Sequence, residues 1–223
     1  MKRVAIDELL DTDCGSPEEI AASIRDLVNI NRWFGGISSG TAMLEEVAAK
    51  LNRSRLSVLE VASGSGEISR LVAERLAQKG VELKVTLMDR ARSHLGNHFP
   101  SVAGDAVAIP FRDNSFDVVS CNLFAHHLSA PQLLQFAREG VRASRAAFLI
   151  NDLIRNPLHL ALVYAGLPLF RSRLTWHDAP ASVRQAYTVA EMREMLGAIP
   201  NASLSISRHY LFRMNLQLWK LHA

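Results

Sequence analysis

Apolar positions in the first 54 residues recur at helical spacing. Between Ser16 and Phe34, the side chains of Ile20, Ile24, Leu27 and Val28 fall on one helical face. Ser16 is placed as an N-cap, Pro17 takes the first helical position, and Glu18 and Glu19 sit where the helix dipole favours negative charge. Gly35-Gly36 ends this helix, and a second is expected from about Gly40 to Leu51. The period then changes. Residues 56–62, 83–89, 116–122 and 145–152 are short apolar runs that read as buried strands. Between them lie helical patterns, one at 66–79 with Ile68, Leu71, Val72 and Leu76 on one face, another from Pro131 to Val141. Strands alternating with helices predict a parallel sheet covered on both faces.

Beyond residue 152 the style changes again. A helical stretch containing aromatics runs to about Ala186, and a helix is expected from Thr188. Residues 203–213 and 214–222 alternate with a period of two and read as an antiparallel hairpin at the sheet edge, joined tightly at Arg213-Met214.

Composition narrows the class. A chain of 223 residues suits one full domain, and 48% apolar against 21% charged residues supports a buried core rather than disorder. No apolar stretch approaches the roughly 20 residues of a membrane span. Acids near the N-terminus occupy the place where a secretory leader needs its apolar segment. Cys14 and Cys121 cannot make a disulfide framework, which suits a reducing, cytoplasmic setting. The net charge of +3 is a weak hint of nucleic acid, because the basic side is dominated by arginine without any run of it.

Three segments carry chemistry. Val58-Leu59-Glu60-Val61-Ala62-Ser63-Gly64-Ser65-Gly66 joins a buried strand to a helix through a glycine loop, where backbone N–H groups can meet a ligand. Alone this is also what any tight strand–helix turn uses, and the Gly-Lys-Ser/Thr ending of a phosphate loop is absent. Asp89 closes the second strand, where a carboxylate can accept from ribose hydroxyls or cap the next helix. Together these two features fit NAD or S-adenosylmethionine equally. The third segment, Gly104-Asp105-Ala106-Val107-Ala108-Ile109-Pro110-Phe111 running into Asp113-Asn114-Ser115-Phe116-Asp117, decides between them. With it, residues 55–152 resemble the class I S-adenosylmethionine-dependent methyltransferases, especially the group that methylates quinones and small molecules.

The resemblance implies a Rossmann-like three-layer sandwich with a mostly parallel seven-stranded sheet and a C-terminal antiparallel hairpin. It implies S-adenosylmethionine as cofactor, with S-adenosylhomocysteine as product. Glu60 matches the acid facing the amino-acid end of the cofactor, and Gly64 and Gly66 match the loop glycines. Ala62 stands where the family usually has its first glycine. Asp89 matches the ribose-binding acid, Arg90 the residue beside the adenine, and Asp105 with the Ala106 N–H the adenine contacts. Asn122 falls beneath the methionine portion. The chain divides accordingly into an N-terminal helical cap (1–54) and a core (55–223) with a lid insertion at about 152–187.

Phe124-Ala125-His126-His127-Leu128 is similar to the family's His-His-Leu ending after strand four. His126 or His127 can take a proton from a substrate hydroxyl, or can merely cap and pack the following helix. Metal is not expected, since adjacent histidines on a helix diverge and no third ligand stands at metal-site spacing. The family's Lys-Pro-Gly-Gly turn before strand five is replaced by Gly140-Val141-Arg142-Ala143-Ser144-Arg145, which argues against a specific quinone-biosynthesis enzyme. Trp33, Tyr164, His177 and Tyr187 are the substrate candidates. Set among aliphatics, they suggest an apolar or aromatic acceptor, with completion of the core as the alternative. The favoured reading is methyl transfer to an oxygen, carbon or nitrogen of a small metabolite. An RNA-modifying methyltransferase would add a basic, aromatic face or an extra module, and the chain offers neither in clear form. A non-catalytic S-adenosylmethionine-binding protein stays open.

Overall fold

The computed structural model describes residues 1–12, 14–92 and 95–221. Two helices come first, α1 (Pro17–Trp33) and α2 (Gly36–Leu51). Ser16 caps α1 through a reciprocal capping box with Glu19, as the sequence predicts. Gly35, at φ +80°, turns the chain so that α2 begins at once, four residues before the expected start.

The sheet follows. Its strands are β1 (Arg55–Val61), β2 (Glu82–Asp89), β3 (Ser101–Ala103), β4 (Phe116–Asn122), β5 (Ser144–Leu153), β6 (Ala202–His209) and β7 (Arg213–Lys220). They lie in the order β3-β2-β1-β4-β5-β7-β6. The first five run parallel, and β7 and β6 close the sheet in antiparallel register. The sequence-predicted fold is therefore the observed one. The hairpin turn differs: it lies at Tyr210-Leu211-Phe212, where Tyr210 takes φ +55°, and not at Arg213-Met214. Arg213 and Met214 are buried and belong to β7, which explains the correction. His222, expected at the end of that strand, lies outside the described residues.

Helices cover both faces. α2 and α3 (Glu67–Ala77) enclose one apolar layer with Val47, Leu56, Val58, Leu76 and Leu149 at its centre. On the other face α4 (Ala130–Ala143) and α7 (Val189–Leu196) pack Leu133, Phe136, Met192 and Leu196 on Val119, Phe148 and Leu216. Without a Lys-Pro-Gly-Gly turn, α4 runs directly into β5 at Ser144. Between β5 and α7 stand α5 (Pro157–Gly166) and α6 (Arg173–Gln185). Among the described residues, no helix is long and apolar enough to cross a membrane.

α1 behaves unlike an ordinary amphipathic helix. Its buried residues are polar, namely Ser23, Asp26 and Asn31. Asp26 accepts from the backbone N–H groups of Arg171 and Ser172, both at 3.0 Å, and so ties α1 to the start of α6. Asn31 accepts from the buried Arg213 guanidinium at 3.1 Å, which also donates to Asn151 at 2.7 Å and to the Phe34 carbonyl at 2.7 Å. The apolar face of α1 is thereby left free to line something other than the core.

Candidate functional site

Parallel strands end at one edge, and the loops that leave them build the site. After β1, Ala62 takes φ +53° and Gly64 φ +50°. A side chain at Gly64 would meet no atom within 4 Å, so the loop borders open space. Gly66 serves packing instead: at φ +74°, a Cβ there would meet Leu87 at 2.5 Å. Ala62 occupies a left-handed conformation that glycine adopts without cost, so its replacement of the family glycine adds about 1–2 kcal/mol of local strain. Leu123, after β4, is similarly held at φ +52°.

Glu60, Ser120 and Asn122 form a buried polar row. Ser120 Oγ donates to Glu60 Oε2, and Asn122 Nδ2 donates to Oε1 at 2.7 Å. Burial pushes the Glu60 carboxyl above its ordinary range, and these two hydrogen bonds only partly offset it. Asn122 Oδ1 and Ser63 Oγ are buried with no hydrogen-bond partner among the described residues. Along the same edge, Asp89 accepts from the Gly64 N–H at 2.9 Å and the Ala91 N–H at 3.1 Å. The Gly104 N–H donates to the Asp89 carbonyl at 3.0 Å, which sets Asp105 beside it. Asp105 and Arg90 are exposed, while Ala106 is buried.

From the glycine loop a cavity of about 360 Å³ extends beneath α1, α5 and α6. Glu60, Ser63, Gly64 and Asn122 border one end, and Ile20, Ile24, Leu27 and Val28 of α1 form an apolar wall. The apolar face marked out by helical spacing in the sequence is this wall. Leu162 and Val163 of α5 and Phe170 and Val183 stand opposite.

Its polar corner holds both predicted histidines. Residues 125–127 form a 3-10 turn rather than an α-helix, which brings the two imidazoles within 4.3 Å of each other at a tilt of 35°. The reason given against metal therefore fails, because adjacent side chains here converge. A third group also arrives from far away in sequence: Glu8 Oε1 lies 3.6 Å from His126 Nε2 and 3.9 Å from His127 Nε2. Asp152 accepts from the His126 N–H at 2.9 Å and pairs with Nδ1 at 2.6 Å. Burial alone would depress the His126 imidazolium, but the Asp152 and Glu8 carboxylates outweigh it and push the pKa up to about 10. His126 thus carries its proton at neutral pH and is no base there. His127 Nδ1 meets Asp11 at 2.8 Å, on the more open side.

Glu8 and Asp11 were not legible as site residues. They ride on an N-terminal strap fixed by Arg3, whose guanidinium donates to the carbonyls of His126 at 2.8 Å, Leu128 at 3.0 Å and Gln185 at 2.6 Å. Asp178 holds the strap further on by accepting from the Leu9 and Leu10 N–H groups at 2.8 and 3.1 Å.

The four substrate candidates fall outside the cavity wall. Trp33 and Tyr164 are about half exposed and His177 is exposed. Tyr187 is buried in the core, its hydroxyl donating to the Leu128 carbonyl at 2.7 Å under the Arg3 guanidinium. The aromatic type pointed to them, yet the chamber is walled mainly by aliphatics.

The strand order, the glycine loop and the acids after β1, β2 and β3 define the class I methyltransferase fold. Residues 58–146 match the family model of a methyltransferase domain. Among solved structures, the chain is similar to the plantazolicin methyltransferase BpumL in complex with a monoazolic desmethylPZN analog and SAH. Identity is 13%, 96% of this chain and 95% of that one are covered, and the TM-score is 0.72. It is also similar to magnesium protoporphyrin IX methyltransferase (ChlM) from Synechocystis PCC 6803 with bound SAH, at 16% identity, 83% and 84% coverage and a TM-score of 0.55. A SAM-dependent methyltransferase from Aquifex aeolicus gives 14% identity, 82% and 89% coverage and a TM-score of 0.55. No curated protein matches the sequence.

Proposed function

We propose that this chain is an enzyme that transfers a methyl group from S-adenosylmethionine to a small, largely apolar molecule held in the chamber. One observation carries the reading: a single cavity runs from Gly64 and Asn122 to the apolar wall of α1. It joins the place of the methyl donor to a place for an acceptor.

The residues present fit the cofactor. Asn122 has its Nδ2 committed to Glu60, so its unpartnered Oδ1 is free to accept from the cationic amino group. Glu60 lies beneath and supplies the opposite charge. Ser63 Oγ and the open Gly64 backbone offer further polar contacts. Asp89 retains lone pairs for ribose hydroxyls, and Asp105 with the Ala106 N–H stands beside it for the adenine. When bound, S-adenosylmethionine supplies a methyl carbon already activated by its sulfonium. The protein's own work is alignment and exclusion of water, which suits a chamber walled by aliphatics. The acceptor's reacting group is received at the corner of Glu8, His126 and His127, with His127 on the open side. The strap, α1 and residues 152–187 together form the lid over it.

The test is formation of S-adenosylhomocysteine against a panel of apolar and aromatic metabolites bearing hydroxyl or amino groups, with calorimetry of S-adenosylmethionine and NAD alongside. Turnover on one class supports the reading. Tight NAD binding without S-adenosylmethionine binding overturns it, and S-adenosylmethionine binding with no turnover on any metabolite favours a sensor.

A further inference from the structure

We propose that Nε2 of His126, Nε2 of His127 and a carboxylate oxygen of Glu8 form a site for one divalent transition-metal ion of the zinc class, open on its chamber side.

The first argument is convergence. The three donor atoms lie within 4.8 Å of one another. Ligands about 2.0–2.2 Å from a tetrahedral zinc stand roughly 3.3–3.5 Å apart. Distances of 3.6 and 3.9 Å from Glu8 to the two imidazoles need only a slight contraction around an ion, while the remaining edge, up to 4.8 Å, must close further.

The second argument is orientation. Metal-binding histidines generally commit their other ring nitrogen to a carboxylate or carbonyl, which fixes the tautomer and raises ligand basicity. Both do so here: His126 Nδ1 is held by Asp152 at 2.6 Å and His127 Nδ1 by Asp11 at 2.8 Å. Each ring thus turns its Nε2 toward the same Glu8 oxygen. Glu8 is itself braced by Gln185 Nε2 at 2.7 Å and by Ser182 Oγ.

The third argument is charge. Glu8, Asp11 and Asp152 put three carboxylates around two imidazoles, at the edge of an apolar chamber where an uncompensated charge is expensive. A divalent cation that displaces the Nε2 proton of His126 to solvent and binds two neutral imidazoles leaves a net charge of minus one, the same as two imidazolium protons would. It does so with a single ion bound to all three groups. Two nitrogens and one carboxylate oxygen are a donor set that suits zinc, and three protein ligands leave a fourth position for a ligand atom. Glu8, His126 and His127 all line the chamber, so a ligand there can reach that position. Resting on the proposed methyl transfer, the ion would bind an acceptor's oxygen next to the methyl group.

The experiment uses the full chain without a polyhistidine tag, freed of metal by chelator dialysis. Zinc is titrated calorimetrically, and cobalt(II) is added to read its visible ligand-field bands. The expected result is one equivalent of zinc and the intense bands of four-coordinate cobalt. His127→Ala should weaken zinc affinity by at least tenfold, and Asp11→Asn by about tenfold. Asp11 is well exposed, so its variant tests the site without disturbing the fold. Tyr164→Phe, outside the corner, should leave affinity unchanged. Absence of a stoichiometric zinc site, or affinity unaltered in both corner variants, overturns the proposal. S-adenosylmethionine affinity is measured in parallel. Cofactor binding without metal defeats the site alone, whereas metal binding without cofactor defeats the methyl-transfer reading and leaves the site standing.

Discussion

Asp89 Oδ2 accepts the Gly64 N–H at 2.9 Å, so the acid that ends β2 braces the glycine loop that follows β1. One carboxylate therefore serves both loop geometry and the expected ribose contact. Asp89→Ala should weaken S-adenosylmethionine binding by about 1–3 kcal/mol, the usual loss for charge-assisted hydrogen bonds. Asp89→Asn, which can still accept from Gly64, should fall between the two. Calorimetry on the three proteins checks the order. If Asn and Ala weaken binding equally, the bracing role is wrong.

Asp117, from the Ser-Phe-Asp stretch of the third motif, turns inward to hold the opposite end of the sheet. It accepts from Ser57 N–H at 2.9 Å and Oγ at 2.8 Å, and pairs with Arg53 at 2.8 Å and Arg145 at 3.4 Å. Burial raises its pKa, but these partners outweigh it and hold the carboxyl below its ordinary value of 3.8. A folded-state pKa below the unfolded one gives stability that is present above 3.8 and lost as pH falls beneath it. Asp117→Asn should cost about 1.5–3 kcal/mol at neutral pH. Denaturant midpoints measured from neutrality into acid should converge for the two proteins at low pH. A constant gap would show that the charge plays no part.

β1, β4 and β5 were legible because each is largely buried and reads as a short apolar run, as in Phe116–Asn122. β3 was not, since three residues carry no period. Asp89 was legible as the acid that closes β2, whereas Glu60, inside β1, was singled out only by the family resemblance. Glu8 and Asp11 were not, because the strap has no regular pattern and its contacts span most of the chain. Residue type also misled: Trp33 and Tyr164 are aromatic but face outward, whereas Ile20, Ile24 and Leu27, which spacing placed only on one helical face, wall the chamber. Periodicity reports that a face is covered, and does not say whether protein or ligand covers it.

That face can be tested directly. Leu27 lines the chamber on its α1 wall. Leu27→Glu should place a charge against aliphatic neighbours and abolish binding of an apolar fluorescent probe, while S-adenosylmethionine affinity stays within twofold. Leu27→Trp should fill space and raise the acceptor KM at least tenfold with little change in kcat. Equal loss of cofactor binding in both variants would mean that the wall and the cofactor site are not separable.

The strap offers the sharpest test of how the lid is assembled. Arg3, Leu9 and Leu10 bond to residues 126, 128, 178 and 185, and α1 bonds to α6 through Ser23 and Thr175 at 3.2 Å as well as through Asp26. None of the strap's residues belongs to the two apolar layers around the sheet. Deleting residues 1–11 should therefore leave the βα core folded by circular dichroism. It should lower turnover at least 100-fold, because Glu8 and Asp11 leave the polar corner. Deleting residues 1–36 should go further, abolishing turnover and weakening cofactor retention through loss of the α1 wall. In the intact chain, amides of α1 and of residues 152–187 should gain exchange protection together when cofactor and acceptor bind. Full activity after removal of residues 1–11, or protection gained by one segment without the other, would show that strap and helices do not close as a unit.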